Sequence, residues 1–304
     1  MGVDLLFQKQ IMMRRVLYTL IPIYLFAFYM YGFRLLFHSV FVFGFAILTE
    51  YLMEKPKKKK VSEAVLVTAA LFVLSLPPLP YKYWWVSSIG IIFGVLFGKE
   101  VFGGFGRNIF NPAIAGRLFI YIAFANIMTQ NWMTPGKFGM NADILTTATP
   151  LDVLRSGGSN GLLNLFMGNR AGSMGEASIA LIIIAAIYLI FSKTASWRII
   201  ISTFLSAFLF SAVLNITGIP QAMPFLESIM SGSIIFVTVF MATDPVSAPK
   251  NGKSQWIYGI IIGLTTVLVR TFSLFSEGTS FGILIANTFA SLLDEITASK
   301  KVKS

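Results

Sequence analysis

Two segments that contain Gly-Lys carry residue types that could bind a phosphate group. The first runs from Gly98 to Gly106 and begins Gly-Lys-Glu, and the second is Gly252-Lys253-Ser254. A nucleotide-binding P-loop needs Gly-Lys followed by Ser or Thr, with another glycine five positions earlier. Glu100 breaks this pattern in the first segment and Ser247 breaks it in the second. The glycines instead predict irregular backbone that is buried inside the protein.

Redox chemistry in this chain has few side chains to use. The sequence contains no cysteine, and His38 is its only histidine. Disulfides, cysteine-ligated iron–sulfur clusters, c-type haem and bis-histidine haem are therefore excluded. We interpret His38, within an apolar segment, as a packed residue with one hydrogen bond. Any redox function would need an organic cofactor, and no metal site is predicted.

The segment 143–152 concentrates hydroxyl and carboxyl groups next to a proline, with the sequence Asp-Ile-Leu-Thr-Thr-Ala-Thr-Pro-Leu-Asp. Thr149 is a typical helix N-cap, Pro150 suits the first helical position, and Asp152 has the spacing of a capping-box acid. The pattern predicts that a helix begins after Thr149. The cap alone implies no chemistry.

The elements that must position these residues are strongly apolar. Of the 304 residues, 56% are hydrophobic and 12% are charged, whereas soluble domains carry about 25% charged residues. Apolar segments long enough to cross a bilayer recur along the chain, and the first of them lacks a signal-peptide cleavage pattern. We predict an all-α polytopic membrane protein with about ten transmembrane helices. The predicted spans are 16–32, 35–52, 63–78, 84–98, 115–129, 177–192, 198–216, 231–243, 256–271 and 280–296.

The basic residues predict an orientation in the membrane. With the N-terminus inside, the inner segments hold 18 of the 24 Lys and Arg residues and the outer segments hold 6. This bias follows the positive-inside rule, and Lys57 to Lys60 would anchor the inner face to anionic headgroups. We therefore expect both termini in the cytoplasm and the loop 130–176 outside. The net charge of +11 is scattered between apolar segments, so it predicts no nucleic-acid surface.

The same loop divides a single membrane domain into two repeats, 1–129 and 177–304. Each repeat has five predicted spans, and five is odd, so the two repeats would have opposite orientations. Gly90-Ile-Ile-Phe-Gly94 in the fourth span resembles Gly259-Ile-Ile-Ile-Gly263 in the ninth. An inverted repeat predicts a functional site near the interface between the halves. Glycines at positions 90, 94 and 98 predict close approach of a neighbouring helix.

The segment ending at Thr149 also resembles a flavin-attachment signature. Asp143, Thr146, Ala148 and Thr149 match the pattern Asp-x-x-Ser/Thr-Gly-Ala-Thr of the NqrB/RnfD family of membrane subunits, and Thr147 stands where that family usually has glycine. Residues 98–117 and 240–249, followed by an arginine and Ser-Glu-Gly at 276–278, resemble the family as well. The likeness covers almost the whole chain, and its three motifs occur in the same order as in the family.

The resemblance implies that the Thr149 hydroxyl forms a phosphodiester with FMN, which an ApbE-type flavin transferase installs from FAD outside the cytoplasmic membrane. The charge bias independently places Thr149 outside, and a phosphate at a helix start would meet free backbone amides. The expected cofactor-binding residues are Asp143, Thr146, Thr147, Ala148, Thr149, Arg270 and Glu277. Arg270 would balance the charge of the phosphate or of the reduced flavin, or would be an interfacial arginine.

A second site is expected on the inner side. Asn111 and Asp244 lie in the other two family-like stretches and would line a route for a cation or a second flavin such as riboflavin. For Asp244 a helix-end cap is the alternative.

The resemblance favours an RnfD subunit of the bacterial inner membrane, in a complex that couples electron flow between ferredoxin and NAD to Na⁺ or H⁺ translocation. The expected partners are RnfA, RnfB, RnfC, RnfE, RnfG, the flavin transferase and membrane lipids, and the isolated chain would have no complete activity. NqrB of the Na⁺-translocating NADH:quinone reductase is the alternative, although those subunits look longer before the first span. A flavin-free transporter that resembles the urea transporters is the second alternative.

Overall fold

The structure is a computed structural model that describes residues 7–133, 135–136, 138, 148–168, 170–176, 178–219, 221–273, 275 and 278–298. Helices dominate it. The α-helices are α1 (Ile11–Tyr31), α2 (Phe33–Glu54), α3 (Ala64–Leu74), α4 (Trp84–Gly98), α5 (Pro112–Ala123), α6 (Ala125–Gln130), α7 (Pro150–Arg155), α8 (Leu162–Met167), α9 (Ile179–Phe191), α10 (Trp197–Ile216), α11 (Phe225–Met230), α12 (Ile234–Val237), α13 (Gly252–Phe272) and α14 (Gly278–Thr297).

The other elements of the described chain are short. One-turn 3₁₀ helices flank α4 at Tyr81–Tyr83 and Glu100–Phe102, and a π-helix, Thr238–Ala242, continues α12. The strands β1 (Phe7–Gln8) and β2 (Val61–Ser62) pair in parallel. The predicted all-α class is confirmed.

Five helical segments of the described chain are long and apolar enough to cross a membrane: 11–31, 33–54, 81–102, 197–216 and 252–272. Three more apolar helices, α3, α5 and α9, are shorter. All ten predicted spans contain helix, and the protein is a multi-pass membrane protein.

The predicted spans 63–78 and 231–243 differ most from the structure. The span 63–78 contains only α3, whose 11 residues rise about 16 Å and cannot cross a hydrocarbon core of about 30 Å. The span 231–243 contains α12 and the π-helix, which together run from Ile234 to Ala242. Pro77, Pro78 and Pro80 follow α3, and Pro245 follows the π-helix, so proline limits both segments on their C-terminal side.

The two halves share a packing order. In the first half α2 packs along α4 and α4 packs along α5; in the second half α10 packs along α13 and α13 packs along α14. The short third helix of each half, α3 or α12 with the π-helix, contacts the first helix of that half. These shared neighbours favour the predicted repeat, whose boundaries and inverted orientation stay predictions.

Glycines allow the closest helix contacts. A Cβ at Gly94 would meet the carbonyl oxygen of Pro112, and one at Gly98 would lie 2.8 Å from the Pro112 Cα, so the stripe on α4 packs against α5 as predicted. Gly259 and Gly263 on α13 instead face Ser202 and Ser206 of α10. The two similar glycine pairs therefore contact different neighbours within their halves.

Candidate functional site

Thr149 is the N-cap of α7, as the spacing predicts. Its backbone N–H donates to the Asp152 carboxylate at 3.1 Å, and its hydroxyl accepts from the Asp152 N–H at 3.2 Å. The hydroxyl also donates to Asp152 Oδ2 at 2.6 Å. These bonds form a capping box with Pro150 in the first helical turn. The hydroxyl oxygen therefore has a fixed position next to a carboxylate, which is a proton acceptor.

Arg155 attaches α7 to the end of α13. Its Nη2 group donates to the carbonyl oxygens of Arg270 and Ser273, both at 3.1 Å, and of Phe275, at 3.0 Å. Partial burial lowers the pKa of the Arg155 guanidinium below its usual value, and the Asp152 charge opposes this effect. A helix of six residues has little stability by itself, so these bonds contribute much of what holds Thr149 in place.

Arg270 lies beside α7. It is 3% exposed, and its Nη1 group donates to the Ser228 carbonyl oxygen at 2.6 Å. A Cβ at Gly232 would lie 2.7 Å from Leu151 Cδ1 and 3.1 Å from Arg270 Nη2, so both side chains border that glycine. Buried Arg270 therefore places a positive charge beside α7, the helix that Thr149 caps. It is not an interfacial arginine at the protein surface, which was the alternative expectation.

The other residues of the predicted flavin signature are only partly placed. Ala148 is exposed, while Thr149 itself is 7% exposed. Asp143, Thr146, Thr147 and Glu277 lie outside the described residues. Their predicted roles stay predictions.

Asn111 and Asp244 come together at a second position. Asn111 caps α5 through its side-chain oxygen, and its Nδ2 group donates to the Met241 carbonyl oxygen at 3.3 Å. Asp244 follows the π-helix that contains Met241, and its carboxylate accepts from the Val246 N–H at 3.3 Å and from the Ser247 hydroxyl at 2.8 Å. The expected alternative for Asp244, a cap to nearby groups, therefore describes its contacts.

A small cavity of about 40 Å³ lies between α3 and the π-helix, and both Asn111 and Asp244 line it, together with Lys99. Short helices at matching positions of two repeats are typical of binding sites in membrane proteins. This volume holds a few water molecules or one cation, but it is far below the roughly 300 Å³ of the smallest usual ligand pockets. A flavin ring does not fit this cavity with its walls in their present positions.

The predicted residues thus form two groups. The helix α7, which Thr149 caps, lies beside the C-terminal end of α13, whereas Asp244 lies before the N-terminal end of α13. The 21 residues of α13 rise about 30 Å, so the two groups are on opposite sides of the membrane domain.

Sequence analysis missed a buried ionic contact between α5 and the loop before α9. Arg117 is fully buried, and its Nη2 group lies 3.5 Å from Glu176 Oε1 and donates to the Ser173 hydroxyl at 3.2 Å. Arg170 donates to the Glu176 carbonyl oxygen at 3.3 Å. An arginine inside an apolar segment was the available signal, since such residues usually have partners within the protein.

The burial of four basic residues changes the count from which the orientation was predicted. Arg117 and Lys99 were counted as inner-surface charges, and Arg170 and Arg270 as outer ones, but all four are buried. Without them the inner segments hold 16 basic residues and the outer segments hold 4. The bias remains, and the orientation stays a prediction.

A second missed pair lies at the ends of α2 and α4. Lys99 Nζ lies 2.6 Å from Glu50 Oε2 and donates to the Ser62 hydroxyl at 2.7 Å, and both charged side chains are 2% exposed. The other Glu50 oxygen accepts from the Ser62 N–H and hydroxyl at 2.8 and 2.6 Å. The Lys99 ammonium therefore has two polar partners although its side chain also lines the small cavity.

A sequence model of the NQR2, RnfD, RnfE family matches residues 7–303. The chain belongs to this family. It is similar to the B subunit of the Na(+)-translocating NADH-quinone reductase from three bacteria. The protein from Klebsiella pneumoniae subsp. pneumoniae is 37% identical over 271 residues, that from Pseudoalteromonas atlantica 38% over 261, and that from Pseudomonas aeruginosa 36% over 267.

These matches cover 84% of this chain and 64% of each relative. The chain therefore matches a little under two thirds of the length of these relatives. Membership of the NQR2, RnfD, RnfE family agrees with the resemblance drawn from Thr149 and from the two other motifs.

Proposed function

We propose that this chain is a membrane electron-transfer subunit that carries FMN as a phosphodiester on Thr149. The observation that carries the proposal is the position of Thr149. This residue is the last of the family-like signature and the N-cap of α7, and Arg155 attaches α7 to α13. The relatives are, by name, B subunits of a Na(+)-translocating NADH-quinone reductase. A flavin at this position would accept and release electrons.

The residues around Thr149 fit such a group chemically. A hydroxyl next to the Asp152 carboxylate can lose its proton on forming an ester, and exposed Ala148 gives the transferase a route to the site. Arg270 supplies a buried positive charge beside α7, which favours a phosphate and a reduced, anionic ring. Asp143, Thr146, Thr147 and Glu277 complete the proposed set by family likeness.

Mass spectrometry of the peptide that contains Thr149 tests the attachment. The full chain is coexpressed with an ApbE-type flavin transferase, and in-gel fluorescence under ultraviolet light follows the flavin. We expect an FMN adduct in the wild type, in Thr149→Ser and in Thr147→Gly, which restores the usual family residue. Thr149→Val should abolish it. Fluorescence that persists in Thr149→Val would exclude this site, and a dark wild-type band would favour a flavin-free transporter.

For the whole complex we propose the Rnf type, in which ferredoxin and NAD exchange electrons and Na⁺ or H⁺ is moved, with RnfA, RnfB, RnfC, RnfE and RnfG as partners. The names of the relatives favour a second candidate, an NqrB-type subunit that works with Nqr partners and a quinone. Assays of the purified complex with each acceptor separate them. NADH-dependent quinone reduction without ferredoxin activity would favour the second.

Asn111 and Asp244 are proposed to line a route for the coupled cation. Their support is the cavity between the two short helices, which has room for a cation or a few waters. Riboflavin at this position would need the walls to separate. Asn111→Leu should lower ion transport per electron while FMN on Thr149 is retained; unchanged transport would remove Asn111 from the route.

A further inference from the structure

A polar pocket of about 500 Å³ lies where α9 ends and α10 and α13 begin. Lys193, Arg198 and Lys250 line it from three different segments of the chain. Lys193 and Lys250 are exposed, and Arg198 is half-buried. The pocket is separate from Thr149 and its helix, and it shares Asp244 with the lining of the small cavity.

Hydrogen bonds between distant segments fix the walls of the pocket. The Ser196 hydroxyl donates to Gln255 Oε1 at 2.7 Å, and Gln255 Nε2 donates to the Pro249 carbonyl oxygen at 3.1 Å. On the α1 side, Arg15 Nη1 donates to the Ser192 carbonyl oxygen at 2.6 Å. Arg15 is therefore a fourth basic side chain in this region. The pocket is therefore a product of the tertiary fold and is not a gap between loose loops.

The pocket has a net positive charge, because Lys193, Arg198 and Lys250 line it with one acidic residue, Asp244. Within the described part of the chain, Lys193, Arg198 and Lys250 form no ion pair with an acidic side chain. The nearby carboxylates have other donors: Asp244 binds Val246 and Ser247, and Asp294 accepts the backbone N–H groups of Lys250 and Asn251. Basic pockets between transmembrane helices are typical sites for anionic lipid headgroups.

An apolar groove of about 340 Å³ starts next to this pocket and runs along α10 and α13. Arg198 is on the same face of α10 as Ser202, Leu205 and Leu209, because these residues are spaced by three or four positions. Leu205 and Leu209 are 48% and 53% exposed, so the groove is open to the surrounding membrane. From Ser202 to Val213 it extends about 16 Å, which is the length of most of an acyl chain.

Two tryptophans mark the junction between the pocket and the groove. Trp197 lines the pocket and Trp256 lines the groove, and their rings meet edge to face at a centroid distance of 6.0 Å. Arg198 lies 5.0 Å from the Trp197 ring centroid and close to Gly252, the first residue of α13. Tryptophan is enriched at the level of lipid headgroups, so the polar pocket is at headgroup depth and the groove at acyl-chain depth.

We propose that the pocket and the groove together bind one anionic phospholipid. Its phosphate diester contacts Arg198, with Lys193 and Lys250 on either side, and one acyl chain follows the groove between α10 and α13. The ligand is an anionic lipid and not a soluble phosphate, because the positive pocket adjoins the apolar groove where Trp197 meets Trp256.

Native mass spectrometry of the full chain in detergent tests the site with phosphatidylglycerol, phosphatidylcholine and inorganic phosphate as probes. We expect tighter binding of phosphatidylglycerol than of phosphatidylcholine. Arg198→Gln should weaken phosphatidylglycerol binding about 5-fold, the effect of one basic residue near anionic lipid. The matched control Lys253→Gln removes the same charge from an exposed position on the first turn of α13, outside the pocket, and should leave binding unchanged.

Three further arms separate the sources of binding. Leu209→Trp fills the groove and should weaken binding of both lipids, while the double variant Lys193→Gln/Lys250→Gln repeats the headgroup test if Arg198→Gln fails to fold. Millimolar inorganic phosphate should not displace phosphatidylglycerol. The proposal would be overturned if the two lipids bound with equal affinity, or if Lys253→Gln weakened phosphatidylglycerol binding as much as Arg198→Gln does. It would also be overturned if Leu209→Trp bound both lipids as the wild type does, or if inorganic phosphate displaced phosphatidylglycerol.

Discussion

Replacing Lys99 by methionine removes one partner of a buried ion pair while roughly keeping the volume of the side chain. The Glu50 carboxylate would then keep only its bonds to Ser62, at 2.8 and 2.6 Å, in a position that is 2% exposed. Glu100, whose carboxylate lies 3.9 Å from Lys99 Nζ and is fully buried, would also lose a nearby positive charge. Lys99→Met should therefore destabilise the fold strongly.

The size of the effect follows from the burial of the pair. Breaking a buried ion pair by removing one partner costs about 3–5 kcal/mol, because the remaining charge is uncompensated. In the double variant Lys99→Met/Glu50→Gln the amide oxygen still accepts from Ser62 and residue 50 no longer carries a buried charge, so the cost should be about 1–2 kcal/mol. The double variant is thus expected to be more stable than the single one.

Thermal unfolding in a mild detergent, followed by circular dichroism, measures the difference. At about 2–4 °C per kcal/mol, Lys99→Met should lower the melting midpoint by roughly 10 °C, and the double variant by less than half of that. Lys253→Met, at an exposed position, is the control and should change little. The reasoning would be refuted by a Lys99→Met midpoint equal to that of the control, or by a double variant less stable than the single variant.

Three further predictions concern helix packing, α7 and acid stability. Gly116→Ala places a methyl group against the Gly90 carbonyl oxygen and should cost about 1–3 kcal/mol in thermal unfolding, whereas Gly44→Ala, with open space around it, should be neutral or slightly stabilising. Arg155→Gln should speed amide hydrogen exchange in α7 about 10-fold, because a charged donor to the end of α13 is lost; unchanged exchange relative to Arg107→Gln, an exposed site, would contradict the anchoring role. Hydrogen bonds from Arg14 lower the pKa of Glu63 below its usual 4.5, so this carboxylate stabilises the fold at neutral pH and loses that effect as the pH falls below 4.5. The melting midpoint of Glu63→Gln should be below that of the wild type at pH 7, and the gap should narrow in acid; a gap that is constant with pH would argue against the ion pair.

Local rules were enough to predict the helical segments and the cap on α7. Apolar length places every long helix, and the Thr-Pro-Leu-Asp spacing specifies a capping box because all of its bonds lie within four residues. The same rules misjudged α3 and α12, where the predicted apolar segment is helical over only part of its length. Hydropathy reports burial in an apolar medium and does not distinguish helix from buried irregular backbone.

Contacts between distant segments could not be predicted from one sequence. Arg117 and Glu176 are separated by 59 positions, and nothing local links their charges. His38 has two partners, Ser87 and the Leu79 carbonyl oxygen, both at 3.0 Å, so the expectation of one hydrogen bond was wrong. The glycine pairs on α4 and α13 have similar sequences but different neighbours, because a spacing of four residues shows that a helix can approach and not which helix does so.

The capping box at Thr149 has a consequence for when the site can be modified. The hydroxyl proton that Asp152 accepts at 2.6 Å is the proton that ester formation must remove. A diester at Thr149 would also bring a second negative charge to the Asp152 carboxylate, and the two would repel. The proposed diester would therefore change the start of α7, so the amide signals of Thr149, Leu151 and Asp152 would distinguish a chain that carries it from one that does not, without reference to the colour of any cofactor.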